Sequence, residues 1–218
     1  MKRYLWILAA FGLGAGTMAL ADEVVFQDDF KGKLADGWSW VREDSKGWRV
    51  TERGLEIRVQ PGNMWGPANN AKNVLVRPAP DTSKEAIEVA VTVENQPAEQ
   101  YEQADLVWYY DDGHMVKLGQ ELVDGKLSIV MGREEGDRAR TVGIIPLRSF
   151  SVRLRLVVSG NQIRGQFRPG DSANWQDAGT CDLPVKGPAR ISFQVYQGPA
   201  SVERWARFGE FRISRVRQ

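Results

Sequence analysis

Hydrophobic and polar residues alternate along most of this chain, most clearly over residues 100–131, QYEQADLVWYYDDGHMVKLGQELVDGKLSIVM. Successive side chains of a β-strand point to opposite faces, so an alternation with a period of two predicts strands. Two Asp-Gly pairs, Asp112-Gly113 and Asp124-Gly125, interrupt the alternation. Asp-Gly favours the positive φ angles that a two-residue hairpin turn needs. The stretch therefore predicts a meander of three antiparallel strands joined by two tight turns.

The positions of the two turns predict which side chains share a face of the meander. A turn at Asp112-Gly113 places Trp108 opposite Lys117, and a turn at Asp124-Gly125 places Glu121 opposite Ser128. One face then carries the apolar residues Val107, Tyr109, Val116, Leu118, Leu127, Ile129 and Met131. The other face carries Ala104, Trp108, Tyr110, Lys117, Gly119, Glu121 and Ser128. We interpret the first as a core face, and the second as either a solvated sheet face or a shallow cleft.

Short alternating segments continue on both sides of the meander. They are residues 24–30, 38–42, 48–51, 55–59, 73–77, 85–94, 149–158, 162–168, 189–196 and 205–213. None of them holds a helical period of apolar residues for the length that a helix needs. Many short strands separated by turn residues predict an all-β fold, a two-sheet antiparallel β-sandwich.

The N-terminus has the organisation of a secretory signal peptide. It combines Lys2 and Arg3, an apolar run over residues 5–13 and the A-x-A pattern Ala19-Leu20-Ala21, which together predict cleavage after residue 21. Small residues interrupt the apolar run well short of the roughly 20 residues that span a bilayer, which disfavours an uncleaved anchor. We therefore expect one domain, residues 22–218, exported to the periplasm or the extracellular medium and not attached to a membrane after cleavage.

The charge of the chain limits which partners it can bind, and its cysteine content indicates how the fold is stabilised. The formal net charge is +1, with 29 Lys and Arg interspersed among 28 Asp and Glu. Binding of nucleic acid needs a concentrated excess of basic residues, so we expect no nucleic-acid partner. Cys181 is the only cysteine, and we expect a buried, unreactive thiol in a fold stabilised by its core.

The polar face of the meander and one loop offer groups suited to binding a sugar. A sugar ring could stack on Trp108 or Tyr110 while Lys117 and Glu121 hydrogen-bond its hydroxyl groups. Trp65 lies in a loop rich in Gly, Pro and Asn, where no sheet core is expected and where an aromatic residue can wall a cleft. We predict Trp65, Trp108, Tyr110, Lys117 and Glu121 as ligand-binding residues.

No catalytic residue is predicted. The only histidine, His114, lies at a predicted hairpin tip, where a neighbouring group seldom holds it as a Ser-His-Asp site requires. A single histidine and a single cysteine are too few for a transition-metal site. Glycoside hydrolysis needs two carboxyl groups about 5–9.5 Å apart. Glu121 could be one of them, but in the predicted register Asp105 points to the opposite face and Glu134 falls in a loop.

The first predicted strand contains the acidic pair Asp28-Asp29. Together with carbonyl oxygens of a neighbouring loop, these carboxylates could hold a calcium ion. Paired acids near a strand end are also commonly just solvated, so the sequence leaves both interpretations open.

Several motifs, taken in order, resemble a known family. They are FQDDF, GWSW, W-x-V-x-x-x-GLEI, PGNMW, N-x-L-x-R and EQADLVWYYDDGHMVKLGQE. From about Phe26 to Ile213 the chain resembles the concanavalin A-like domain at the C-terminus of bacterial β-xylosidases. It also resembles a related free-standing domain-of-unknown-function family of the same lectin/glucanase superfamily. The resemblance, most specific over residues 102–121, implies a jelly-roll β-sandwich with a concave face and, in many members, a structural calcium.

Two departures from the family pattern affect what the resemblance implies. In the β-xylosidases the sandwich accompanies a catalytic β-propeller, and residues 1–218 contain no propeller sequence, so no catalytic pair is carried over. Asp105 stands where many relatives have a glycine. We predict a secreted carbohydrate-binding or glycan-associated module that is not an enzyme. The alternatives are a glycoside hydrolase with Glu121 as a catalytic carboxylate, and a protein-interaction domain of the cell envelope.

Overall fold

The structure is a computed structural model that describes residues 23–170 and 172–216. The predicted signal peptide lies outside this range. The described residues form fifteen strands: β1 (Glu23–Asp28), β2 (Ser39–Val41), β3 (Trp48–Thr51), β4 (Gly54–Arg58), β5 (Val74–Pro78), β6 (Ala86–Glu94), β7 (Gln103–Asp111), β8 (His114–Val123), β9 (Lys126–Glu135), β10 (Arg138–Pro146), β11 (Ser151–Ser159), β12 (Gln162–Pro169), β13 (Gln176–Asp182), β14 (Arg190–Tyr196) and β15 (Trp205–Val216). No helix in the described part of the chain is long and apolar enough to cross a membrane.

The strands form two antiparallel sheets. The back sheet has the order β13-β12-β11-β6-β15-β4-β3, with β1 also paired to β15, and the front sheet has the order β10-β9-β8-β7-β14-β5-β2. The predicted all-β, two-sheet sandwich is confirmed.

The core lies between the two sheets and contains side chains from both. Phe193 of β14 stacks on Phe208 of β15 with ring centroids 4.6 Å apart, and it meets Phe211 edge-on at 5.3 Å. Trp38, in the loop before β2, packs 5.2 Å from Phe193. Large buried aromatic rings contribute much of the apolar area that a sandwich of this size removes from water. Cys181 is a buried free thiol, as predicted.

The second hairpin of the central meander forms as predicted. Asp124 and Gly125 have positive φ angles of 50° and 72°, and the register pairs Glu121 with Ser128. The primed turn that these angles produce matches the right-handed twist of the two strands. The faces of β8 and β9 therefore agree with the prediction.

The first hairpin differs from the prediction by one residue. Asp111 pairs with His114 across the two-residue turn, but Tyr109 pairs with Met115, so Tyr110 is the extra residue of a β-bulge. Asp112 and Gly113 do not have the predicted positive φ angles. A turn without them does not match the twist of the strands, and a bulge next to the turn accommodates the mismatch.

The bulge shifts the pairing of β7 and exchanges its two faces. Trp108, predicted opposite Lys117, pairs with Val116, and both Trp108 and Tyr110 belong to the core between the sheets. Val107 and Tyr109 belong instead to a second apolar cluster on the outer face of the front sheet. The predicted placement of Trp108 and Tyr110 on the polar face is therefore wrong.

Two strands were not predicted, and both lie at the edge of a sheet. Strands β10 and β13 end the front and back sheets on the same side of the sandwich. An edge strand has one neighbour and tolerates charge, so it lacks the clear alternation of a central strand. The exposed Arg138 and Arg140 of β10 show this.

The end of β1 shows how the acidic pair is used. Asp28 is 7 % exposed, and its carboxylate accepts hydrogen bonds from the backbone N–H of Phe30 at 2.8 Å, the backbone N–H of Ala35 at 3.0 Å and Trp38 Nε1 at 3.0 Å. These donors use three of the roughly four lone-pair sites of the carboxylate, which leaves little of it for a cation. No group of three or more His, Cys, Asp or Glu side chains among the described residues is placed to hold a metal ion. Asp28 does not fit the predicted calcium site, and a structural calcium stays an untested prediction.

We expect Asp28→Ala to lower the free energy of unfolding by about 3 kcal/mol, because it leaves three N–H donors without their acceptor. Chemical denaturation monitored by tryptophan fluorescence measures the change. Asp29→Ala is the matched control, since the neighbouring Asp29 is exposed. Equal stability of the two variants would contradict this account of Asp28.

Candidate functional site

The outer face of the front sheet is partly covered by the loop between β4 and β5. From this loop, Met64 and Ala71 are buried against the sheet. They form an apolar cluster with Val74, Val76, Val107, Tyr109, Met115 and Tyr196. The loop thus closes one half of the face and leaves a cleft at its border.

Hydrogen bonds within the loop hold Trp65 at that border. The Asn63 side chain accepts from the backbone N–H groups of Met64 and Trp65 and donates to the Trp65 carbonyl at 2.9 Å. The backbone N–H of Gly66 donates to Glu134 Oε2 at 3.1 Å, which ties the loop to β9. The position of the indole is therefore set by the local backbone.

The indole of Trp65 also lies directly on the backbone of Gly132 in β9. A Cβ atom at Gly132 would lie 2.3 Å from the Trp65 ring, closer than any real contact. Only glycine leaves room for the indole, so Gly132 forms part of the surface on which the Trp65 ring packs.

The cleft beside Trp65 has a volume of about 510 Å³. Its apolar walls are Trp65, Tyr101, Val123, Val130 and Ile144, and its polar lining is Asn63, Gln103, Lys117, Glu121, Thr141 and Gln197. Tyr101 and Ile144 are 48 % and 51 % exposed. Two aromatic residues thus flank a polar floor.

The floor is built around the buried ammonium group of Lys117, whose side chain is 2 % exposed. Lys117 Nζ donates to Glu121 Oε2 at 2.9 Å and to Gln103 Oε1. It also lies 4.8 Å from the centroid of the Trp65 ring. The amide of Gln103 in turn donates to the Tyr101 carbonyl at 2.9 Å. This network connects both aromatic walls to the floor.

A second acid, Asp105, lies beneath the floor and is 1 % exposed. It pairs with Gly119 of β8, where a Cβ atom would overlap its carboxyl group. Burial raises the pKa of Asp105 to about 7; the charge of Lys117 lowers this pKa and that of Glu121 raises it. The carboxyl group is therefore protonated below neutral pH.

A third acid, Glu134, lies on the same face. Sequence analysis assigned it to a loop, but it belongs to β9 and is fully buried. Burial raises its pKa to about 7, against the lowering effect of the hydrogen bond from Gly66. The expectation that no other carboxylate shares the face of Glu121 is therefore wrong. Glu134 and Asp105 are nevertheless enclosed, and neither lines the cleft.

The structure brings together three of the five predicted ligand-binding residues. Trp65, Lys117 and Glu121 line the cleft. Trp108 and Tyr110 face away from it, and Trp108 Nε1 lies 3.3 Å from the Tyr110 hydroxyl inside the core. Their placement follows from the bulge in β7.

Sequence reasoning missed Tyr101 and Gln103 as cleft residues. Tyr101 had the signal that singled out Trp65, an aromatic residue in a polar stretch before a strand. Gln103 shares a face with Asp105, because side chains two apart in a strand point the same way. Its position therefore depended on the register of β7.

The family profile described as β-xylosidase C-terminal concanavalin A-like domain matches residues 27–186. The chain belongs to this family. The predicted resemblance is thus confirmed, and the sandwich is a concanavalin A-like jelly roll. No curated protein matches the chain.

Several solved structures share the fold of this concanavalin A-like domain. The GH43 protein BlXynB from Bacillus licheniformis superposes with a TM-score of 0.76 at 20% identity, over 87% of this chain and 39% of that one. Xylan β-1,4-xylosidase from Bacillus halodurans C-125 gives 0.74 at 22% identity, over 86% and 38%. This chain thus spans about two fifths of the length of these relatives. The carbohydrate binding module CBM66 from Bacillus subtilis gives 0.56 at 11% identity, over 82% and 95%.

The buried Asp105 of this concanavalin A-like domain makes stability depend on pH. The ordinary pKa of the group is 3.8, and in the folded protein it is about 7. Between these values the folded protein holds a proton that the unfolded chain has released. The free energy of unfolding therefore falls as the pH rises through this window, and the loss is complete above it.

We expect Asp105→Asn to reduce the fall of the melting temperature with rising pH, and Glu134, whose pKa is also raised to about 7, to account for the fall that remains. At pH 8 the variant should be more stable than the original protein by at most about 4 kcal/mol, the free energy that corresponds to the raised pKa. Asp36→Asn is the control, because Asp36 is exposed. If the stability of the Asp105→Asn variant still fell with the original slope, another group would be responsible for the titration.

Proposed function

We propose that this chain is a carbohydrate-binding module and that its ligand occupies the cleft between Trp65 and Tyr101. The observation that carries the proposal is a fixed indole beside a polar, hydrogen-bonded floor in a cleft of about 510 Å³. Sugars present apolar ring faces and hydroxyl edges, so they suit an aromatic wall next to polar groups. The volume lies within the range of ligand pockets.

Preorganisation supports a binding role for the cleft. Trp65 is fixed by the Asn63 hydrogen bonds and by the packing of its ring on the backbone of Gly132. A wall that is already ordered loses little conformational freedom when a ligand binds.

The comparisons support a role of this class without identifying a ligand. One structure with the same fold is described as a carbohydrate binding module, and another as a xylan β-1,4-xylosidase. At these identities the likeness concerns the fold, and a fold alone is a weak argument for function. The cleft carries the argument.

Hydrolysis is the less favoured alternative. The pair of carboxyl groups that a glycosidase needs could only be Glu121 with Asp105 or Glu134. Asp105 and Glu134 are at most 1 % exposed, so a glycosidic bond in the cleft does not reach them. Glu121 is itself engaged with Lys117. A catalytic acid must contact the bond it protonates.

A second candidate function is docking to another protein domain. It is favoured by the observation that the β-xylosidases with this fold are more than twice as long as this chain. The same cleft would then hold a protein segment.

We also infer that the protein is exported, on the basis of the predicted signal peptide.

We expect Trp65→Ala to weaken glycan binding at least tenfold, because it removes the stacking wall and leaves the floor in place. The measurement is isothermal titration calorimetry with oligosaccharides chosen from an array of plant and microbial polysaccharides. Tyr101→Ala should weaken binding to the same ligands.

Trp205→Ala is the matched control for the Trp65 variant. Trp205 is a partly buried tryptophan of the back sheet, stacked 4.1 Å below the Arg49 guanidinium and remote from the cleft. Its loss should leave affinity unchanged. Equal affinity of the Trp65 and Trp205 variants would reject the cleft as the binding site. A chain that binds no glycan but retains a protein partner in a pull-down would support docking instead.

A further inference from the structure

The charged hydrogen-bond donor on the cleft floor, the ammonium group of Lys117, is already paired. An ammonium group has three N–H donors and no acceptor. Two donors of Lys117 serve Glu121 and Gln103, and its remaining side faces the Trp65 ring at 4.8 Å. Lys117 therefore offers a ligand no unused donor.

Two of the three amide side chains of the cleft, Gln103 and Asn63, also hold its walls, and the third is Gln197. Gln103 accepts from Lys117 and donates to the Tyr101 carbonyl. Asn63 accepts from Met64 and donates to the Trp65 carbonyl. Each of these amides has a second N–H, but an uncharged amide does not supply the counter-charge that a carboxylate needs when it leaves water.

The floor does have an acceptor. Glu121 Oε2 receives the Lys117 bond, whereas Oε1 makes no hydrogen bond to any residue that the structure describes. An ionised carboxylate only accepts hydrogen bonds. The cleft therefore matches ligand groups that donate, such as sugar hydroxyls, and its lining offers a carboxylate no unpaired cation.

The charges lead to the same conclusion. Lys117 and Glu121 are the only charged residues among those that line the cleft, and they neutralise each other. Asp105 and Glu134 lie behind the floor, and each becomes negative near neutral pH. No arginine, the residue that recognises carboxylates in a bidentate manner, belongs to the lining.

We propose that the cleft binds uncharged sugars and that Glu121 determines this specificity by neutralising Lys117 and repelling ligands that carry a carboxylate. This inference rests on the proposed carbohydrate-binding function. It assigns the ligand class: neutral pentose or hexose units with free hydroxyl groups, as opposed to uronic acids.

The test is a substitution that removes the charge and keeps the shape. Glu121→Gln leaves the ammonium of Lys117 without its carboxylate and adds an amide donor to the floor. The probes are neutral xylo- and cello-oligosaccharides, uronic-acid-substituted xylo-oligosaccharides and oligogalacturonates, titrated at one ionic strength. Glu99→Gln, at an exposed position outside the cleft, is the matched control.

The expected result has two parts. The original protein binds at least one neutral oligosaccharide and binds the acidic ones at least tenfold more weakly. Glu121→Gln, but not Glu99→Gln, gains at least tenfold in affinity for an acidic oligosaccharide, and added salt weakens this new binding. Equal affinity of the original protein for neutral and acidic probes, or no gain in a folded Glu121→Gln variant, would overturn the inference and leave the binding function standing. Binding of no glycan at all would overturn the proposed function itself.

A second measurement covers the case in which the variant does not fold, because the change leaves a buried charge unpaired. The affinity of the original protein for acidic oligosaccharides is measured before and after carbodiimide-mediated reduction of their carboxyl groups to alcohols. Reduction should strengthen binding at least tenfold, since it replaces each charged carboxylate with a neutral hydroxymethyl group that can donate a hydrogen bond. Equal or weaker binding after reduction would contradict a repulsive role for Glu121.

Discussion

The arrangement of side chains on the outer face of the front sheet depends on how the charge of the buried Lys117 ammonium group is compensated. An ammonium removed from water is stable only if it keeps a counter-charge and hydrogen-bond partners. Lys117 has both, because Glu121 lies four residues along the same strand and Gln103 pairs with Glu121 on the neighbouring strand. Trp65 excludes water from above. The loop that carries Trp65, the register of β7 and the charge pair are therefore parts of one arrangement.

The same compensation explains the state of the other acids on this face. Because Glu121 is already paired with Lys117, ionised Asp105 and Glu134 would have no salt-bridge partner among the described residues. Burial raises the pKa of both residues to about 7, so they are neutral in mildly acidic conditions. Such groups lower stability when ionised, and groups with shifted pKa values concentrate at functional sites. Their position under the cleft is consistent with a floor shaped for function.

The fold was predictable from the sequence. The faces of β8 and β9 were also predictable, because Lys117, Gly119 and Glu121 alternate with apolar residues. Strand β7 gave no such signal. Residues 106–110 are all apolar, LVWYY, so either register buries large side chains. The register is decided by the conformation of Asp112-Gly113 and the bulge at Tyr110, and neither follows from the residue types. One undetected residue then exchanged both faces, which moved Trp108 and Tyr110 into the core and Asp105 out of it.

The candidate site was predictable only where a residue differed in type from its neighbours in the sequence. Trp65 stood out as a large aromatic residue in a loop of Gly, Pro and Asn, and Lys117 and Glu121 as charges inside a strand. Glu134 did not stand out, because a charged pair before Gly136 resembles the end of a strand and its burial depends on the distant Gly66. The residues that line the cleft come from β7, β8, β9, β10 and three loops, and the order of the strands in the sheet brings them together. Sequence patterns therefore locate the unusual side chains of such a site, whereas the register of the sheet determines which of them face one another.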